Sequence, residues 1–372
     1  MRVDEISLIR VEMPLVRPFT TSFGTQSVRQ VLLVRVRAAS SEGWAECVAL
    51  ADPVYTSEYV DGAQTVIERY LAPLVLHLDD INVHELGRVF AGIVGHRMAK
   101  AALETAVLDA YLRGEGMSLG VFLGATRERV ACGVSVGIAL SLPELMDEVS
   151  GYLDQGYRRI KLKIRPGWDL EPVRSVREAF GADLLLSVDA NTAYDETTTK
   201  RLLVLEEFDL LMIEQPYPED DIEQHIGLSK RTTTPICLDE SITSAHAALS
   251  AIERGACSIV NIKPGRVGGY LESRRIHDVC EARGIPVWCG GMLETGVGRA
   301  ANIALAGLPG FSLPNDTSAS SRYFHEDLTA PFVLNDGYLP VPQAPGIGVD
   351  VIPEVLRNRE RSRLTITRSS LA

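Results

Sequence analysis

Five charged positions recur through the middle of this chain at steps of 26, 25, 25 and 24 residues: Lys163, Asp189, Glu214, Asp239 and Lys263. Lys161 stands two residues before the first of them. Each ends a short apolar run with the character of a strand. In Arg159-Ile160-Lys161-Leu162-Lys163-Ile164, charged and apolar residues alternate, which places Lys161 and Lys163 on one face. Three carboxylates at the ends of consecutive strands, about 5 Å apart, cannot all stay ionised without a cation. Asp at a strand end also caps helices, but three at a constant step point to a metal set, Asp189, Glu214 and Asp239. Oxygen donors with no Cys or His beside them suit Mg²⁺ or Mn²⁺ better than zinc.

The lysines flank that set on both sides. Buried near a divalent cation and each other, they are expected to have lowered pKa values and to serve as general bases. A metal-held substrate carboxylate would stabilise the enolate formed when the adjacent carbon loses its proton. One base on each face of that carbon, Lys163 and Lys263, gives a racemase, or a β-elimination through the same enolate. The plainer alternative is a structural network of salt bridges. A barrel aldolase with one lysine as nucleophile and a non-catalytic metal scaffold are further alternatives, and neither accounts for lysines on both sides of the carboxylates.

Other positions carry weaker signals. The run Gly290–Gly298 is glycine-rich and follows a strand, so it either cradles an anion or lets a substrate approach the backbone. Ser135 lies on a strand and could face the same mouth. The Pro- and Gly-containing segment Arg17–Gly24 carries Phe19 and Phe23 and is expected to be a loop, with Ala51–Tyr55 a similar one. The six cysteines (47, 132, 237, 257, 280, 289) lack paired spacing and sit mostly in apolar runs, as reduced core residues do.

Around these residues the chain changes texture. Residues 3–13, 30–38 and 43–50 alternate like antiparallel strands, and 57–115 is helical, so 1–125 is expected to be an α+β capping domain. From about 131, strand-like runs alternate with amphipathic segments, with an eighth run at Phe311–Pro314. Eight α/β units of about 25 residues suit a barrel of the TIM type over 126–322. A doubly wound sheet is the runner-up, but it would spread the outermost charges too far apart. The segment 323–372 is expected to return to the capping domain, with Arg363–Ala372 loosening at the end. Net charge −12 argues against a nucleic-acid partner and gives no attraction to anionic membranes. No apolar run is long enough to span a membrane, and the first residues lack a signal peptide's apolar region, so a cytoplasmic protein is expected.

Taken together, the order Lys-x-Lys, Asp, Glu, Asp, Lys resembles the enolase superfamily in its muconate-lactonising branch. Finer motifs, among them Arg17-Pro18-Phe19, Thr21–Gln26, Val188–Thr192, Ile213–Pro216, Asn261–Gly269 and Gly290–Gly296, resemble its group of o-succinylbenzoate synthases and N-acylamino acid racemases. The resemblance spans nearly the whole chain. It implies a (β/α)₇β barrel under an α+β cap, Mg²⁺ on Asp189, Glu214 and Asp239, and Lys163 and Lys263 as the two bases. It implies that Lys161 helps to hold the substrate carboxylate and that Arg266 tunes Lys263. It further implies a small-molecule carboxylate pocket lined by Ser135, Asn191, Gly291, Met292, Leu293, Phe19, Phe23 and Tyr55, and a homo-oligomer. Muconate-type cycloisomerisation and dipeptide epimerisation are the near alternatives. Dipeptide epimerases carry Asp-x-Asp at the last strand, and Leu313–Thr317 has none. Mandelate-racemase-like members use a histidine where this chain has Lys263.

Overall fold

The computed structural model describes residues 1–371 of the chain. Three antiparallel strands come first: β1 (Val3–Thr21), β2 (Gly24–Ala38) and β3 (Glu42–Cys47). The helix Arg97–Glu115 lies directly on β3. Gly43 allows it, because a Cβ there would stand 2.2 Å from the backbone of Ala106 and Ala110. Val34, Val36 and Ala45 from the sheet and Leu103, Ala106 and Val107 from the helix close this first core.

The strands that follow build the barrel. After β4 (Arg129–Ala131) come β5 (Gly133–Val136), β6 (Arg159–Lys163), β7 (Leu185–Asp189), β8 (Ile213–Glu214), β9 (Ile236–Leu238), β10 (Ile259–Ile262) and β11 (Val287–Cys289). The last seven pair in parallel, in unbroken chain order, with helices between them. The eighth expected strand, Phe311–Pro314, does not form. The gap between β11 and β5 is closed one step later: Asp316 N–H donates to Cys289 O at 2.9 Å, Asn315 N–H to Ala131 O at 2.9 Å, and Gly133 N–H to Asn315 O at 2.7 Å. Pro314 has no N–H to give a ladder, so the pairing starts after it. This moves Asp316 to the strand-end level of the barrel.

Two further strands return. β12 (Tyr338–Pro340) pairs with β4, and β13 (Glu360–Thr367) pairs with β1. The C-terminal stretch is therefore ordered further than expected: Ile366 is buried, and Arg368 Nε donates to Val3 O at 3.1 Å. Ala372 lies outside the described residues. The segment Arg17–Gly24 also departs from expectation. It is the tip of the β1–β2 hairpin, with Phe19 opposite Gln26 and Thr20 opposite Thr25, because the chain here pairs with itself. The hairpin reaches the barrel, where Ile138 N–H donates to Thr20 O at 2.9 Å.

Two buried carboxylates of the cap dock it on barrel helices. Glu46 accepts the backbone and hydroxyl hydrogens of Thr295, at 2.9 and 2.7 Å, at the start of helix Gly296–Ala306. Glu104 accepts Leu271 N–H at 3.1 Å at the start of helix Tyr270–Ala282, where Gly269 leaves the only room: a Cβ there would stand 2.0 Å from the carboxylate. Burial pushes both carboxyls up to about 7, against Arg29 beside Glu46 and the amides of Leu271 and Tyr270 beside Glu104. A carboxyl raised in the folded state binds its proton more tightly there. Its contribution is full below the ordinary value of 4.5 and is lost as pH rises through about 7. The thermal midpoint is therefore expected to fall from pH 5 to pH 8. Glu104→Gln should remove part of that fall, on the order of 2–3 kcal/mol for one such group. An identical pH profile in parent and variant would contradict this.

Candidate active site

The barrel register assembles the charged residues. Lys163 pairs with Asp189, and Asp189 with Glu214, in adjacent strands. Asp239 follows β9 by one residue and Lys263 follows β10 by one. The sheet order puts three strands between the lysines of β6 and Lys263. All these side chains are buried, the three carboxylates completely.

Each carboxylate is turned onto a lysine. Lys163 Nζ donates to Asp189 Oδ2 at 2.6 Å and to Asn191 Oδ1 at 2.7 Å. Lys263 Nζ donates to Asp239 Oδ2 at 2.7 Å and to the Tyr55 hydroxyl at 3.1 Å. Lys161 Nζ reaches Glu214 Oε2 at 2.9 Å and Asp189 Oδ2 at 3.3 Å. Arg266 Nε stands 3.1 Å from Asp239 Oδ1 without hydrogen-bonding alignment, and its Nη2 donates to Ile242 O at 3.0 Å.

These neighbours set the protonation. Burial alone would lower Lys161, but Asp316, Glu214 and Asp189 outweigh it and hold the ammonium above its ordinary range. Lys263 is raised in the same way by Asp239, Tyr55, Glu240 and Glu214. The expected fall in lysine pKa is thus not a property of this cluster alone: neighbouring carboxylates favour the charged ammonium, and only an added cation would oppose them. Glu214 is pushed up to about 8 by burial and by the charges of Asp189 and Asp239. Glu240 rises to about 7 by burial and beside Asp239.

The donor set fits a hard divalent cation. Asp239 Oδ1 and Glu240 Oε2 are buried without a hydrogen-bond partner, and burial beside Asp189 and Asp239 disfavours the charged form of Glu214 despite Lys161. Such oxygens are what Mg²⁺ or Mn²⁺ takes. The lysine pairs would have to open to admit an ion. Among the described residues, the ligand atoms that lie within 4.8 Å of one another belong to His277, Asp278 and Glu281, and the lysine-paired oxygens of Asp189, Glu214 and Asp239 do not draw that close. The histidine group is already engaged: His277 Nε2 accepts Gly310 N–H at 3.0 Å and Nδ1 pairs with Asp278 at 2.9 Å.

A cavity opens beside the lysine–carboxylate cluster. The three lysines and all eight expected pocket residues line it: Phe19, Phe23, Tyr55, Ser135, Asn191, Gly291, Met292 and Leu293. Phe23 packs on Tyr55 with ring centres 5.5 Å apart, and Ser22 Oγ donates to Asn191 O at 3.2 Å, so the hairpin tip is tied to the barrel rim. Ser135 Oγ is buried with no partner of its own. Gly290 leaves room for the site, because a Cβ would stand 2.7 Å from Lys263 Cε. Sequence reasoning missed Thr21, Gln26, Leu50, Tyr323 and Asp316, which also line the cavity. Asp316 was within reach as the charged residue following the eighth run.

Comparison with known proteins places this geometry. Residues 5–124 match the family model "Mandelate racemase / muconate lactonizing enzyme, N-terminal domain", and residues 144–355 match "Enolase C-terminal domain-like". The chain is 60% identical to an N-succinylamino acid racemase of Amycolatopsis sp, over 96% of this chain and 97% of that one. It is 47% identical to an o-succinylbenzoate synthase of Geobacillus kaustophilus over 94% of each. Muconate cycloisomerase 1 of Rhodococcus opacus is more distant, at 28%. The crystal structure of an enolase-superfamily member from Listeria innocua superposes with a TM-score of 0.95 at 40% identity, covering 99% of this chain and all of that one. With both of its halves matched and relatives this similar along its whole length, the chain belongs to the mandelate racemase/muconate lactonizing enzyme family of the enolase superfamily.

Proposed function

We propose that the chain is a divalent-metal-dependent enzyme that removes the proton α to a substrate carboxylate. Its outputs are racemisation of N-succinyl or other N-acyl amino acids, dehydration of a cyclohexadiene hydroxy-acid to o-succinylbenzoate on a route to menaquinone, or both. The observation that carries this is one cavity lined by both Lys163 and Lys263, with three strands between theirs whose ends carry Asp189, Glu214 and Asp239. Relatives bearing both names support the pair of outputs.

Asp189, Glu214 and Asp239 would hold the ion, with Mg²⁺ the expected one and Mn²⁺ a substitute. The ion would supply positive charge to the substrate carboxylate, where negative charge grows as the α-proton leaves. Lys161 adds a second fixed positive charge there. Lys163 or Lys263 takes the proton from one face, and the other, a charged ammonium, returns one from the opposite face. Asn191 orients Lys163, Tyr55 orients Lys263, and Arg266 faces Asp239, the carboxylate that Lys263 holds. The hairpin tip with Phe19 and Phe23 keeps water from the reacting carbon. The enzyme is taken to work in the cytoplasm as a homo-oligomer; among the described residues no helix is long and apolar enough to cross a membrane.

Two observations weigh against other readings. An aldolase needs one lysine nucleophile and does not account for lysines three strands apart from each other with carboxylates on the strands between. Asp316 is already paired with Lys161 and Arg159, so it is not free to hold a dipeptide's ammonium.

Proton NMR of N-succinyl-L-phenylalanine in D₂O with Mg²⁺ tests the reading. Loss of the α-proton signal together with appearance of the D enantiomer is the expected result. If neither that substrate nor the cyclohexadiene hydroxy-acid reacts, the proposal fails.

A further inference from the structure

Lys161 and Lys163 leave the same strand on the same face, two residues apart, yet their surroundings differ. Lys163 is shared between Asp189 and the neutral amide of Asn191. Lys161 has three carboxylate partners, at 2.7 Å to Asp316 Oδ2, 2.9 Å to Glu214 and 3.3 Å to Asp189. Two of these belong to the proposed metal set. Asp316 does not, and its bond to Lys161 is the shortest of the three.

Asp316 is itself held firmly. Its N–H is tied to Cys289 O at the barrel closure, and its Oδ1 accepts from the fully buried Arg159. The guanidinium of Arg159 and the ammonium of Lys161 both lie over the ring of Trp288, at 4.6 and 4.5 Å from its centre. Trp288 below and Asp316 alongside leave Lys161 few rotamers. The same side chain lines the cavity.

We propose that Asp316 is a positioning residue that holds Lys161 as a fixed cation, aimed into the cavity to bind the substrate carboxylate, and so separates Lys161 the anchor from Lys163 the base. The inference rests on the proposed reading that a carboxylate substrate reacts here. Arg159 and Trp288 form the support behind the pair.

A double-mutant cycle in the metal-loaded enzyme tests it. Asp316→Asn and Lys161→Met should each raise KM for N-succinyl-phenylalanine on the order of tenfold, with kcat changed less than about threefold, because a contact common to ground and transition states is lost. The double variant should match Lys161→Met within about twofold. Asp316→Glu, which restores the charge, should recover most of the KM. Effects that multiply in the double variant, or a kcat loss at unchanged KM, overturn the proposal.

A second arm needs neither substrate nor metal. In EDTA-treated protein, Trp288 emission is isolated as the difference from Trp288→Phe, and Lys161→Met sets the size of the ammonium's effect on it. Asp316→Asn should shift that emission in the same direction and Asp316→Glu should not. Parent-like emission in Asp316→Asn overturns the positioning role even where the enzyme racemises. If neither of the proposed substrates turns over, the carboxylate-binding half falls with that reading, and the emission alone decides whether Asp316 places Lys161.

Discussion

Replacing Lys163 or Lys263 by alanine is expected to lower racemisation by about 10³-fold or more in either variant. A general base contributes about 10²–10⁴-fold, and a two-base reaction stops when either face loses its group. The variants should nevertheless differ in what they retain. With one lysine left, exchange of the α-proton for deuterium should persist for one enantiomer only, and for opposite enantiomers in the two variants. Proton NMR in D₂O with each enantiomer reads this directly. KM should move little, because neither lysine is the one assigned to the carboxylate. Removing a lysine also leaves a buried carboxylate less well paired, which destabilises. Asp239 keeps Arg266 at 3.1 Å and Asp189 keeps Lys161 at 3.3 Å, so both variants should fold. Circular dichroism and a thermal scan check this, and Lys→Met variants at the same positions give a second reading if alanine fails. Racemisation within threefold of the parent in either variant would remove the two-base mechanism.

Removing divalent ions with EDTA should abolish activity without unfolding the protein, and Mg²⁺ or Mn²⁺ should restore it. The reason lies in the charge balance of the cluster. Asp189, Glu214 and Asp239 each keep a lysine at 2.6–2.9 Å, and burial pushes Glu214 and Glu240 up to about 8 and about 7, so the group carries no uncompensated negative charge without an ion. Chelation then leaves carboxylate–lysine pairs and a thermal midpoint lowered by only a few degrees, while the reacting carboxylate loses its main positive partner. Glu214→Gln should weaken Mn²⁺ binding, measured by calorimetry, on the order of 10²-fold, because one of three charged oxygens is gone. The parent should bind about one ion per chain at this site. Full activity after exhaustive chelation would contradict the metal reading. Global unfolding on chelation would contradict the charge-balance argument and leave the metal reading intact.

Much of this architecture was legible before any coordinates. A β/α unit repeats at about 25 residues, and its strand ends are marked by the polar residue that stops an apolar run, so Lys163, Asp189, Glu214, Asp239 and Lys263 stood out by spacing alone. A parallel barrel turns equal spacing in sequence into adjacency in space, so a periodic list becomes a cluster. The pattern of alternation also located β2, β3 and the helix Arg97–Glu115, because side-chain periodicity is a local property of the backbone.

What stayed hidden depends on pairing between distant segments. That the barrel closes on Asn315 and Asp316 and not on Phe311–Pro314 follows from which acceptor β11 and which donor β5 leave open, and no local pattern records it. Asp316 therefore counted only as the lack of an Asp-x-Asp motif, while the fold sets it against Arg159 and Lys161, 157 and 155 positions earlier. The tip Arg17–Gly24 has the composition of a loop, and it becomes a hairpin only because β1 and β2 resume pairing at Phe19–Thr21 after a break that follows Pro14. Glu46 and Glu104 look like ordinary surface acids until the cap meets the barrel and gives each the open N–H groups of a helix start. The repeating unit and its chemistry-bearing ends are thus properties of the sequence. Which charges share a partner, and which segment closes the site, were decided by tertiary structure, because both depend on hydrogen-bonding groups left unpaired by parts of the chain far away.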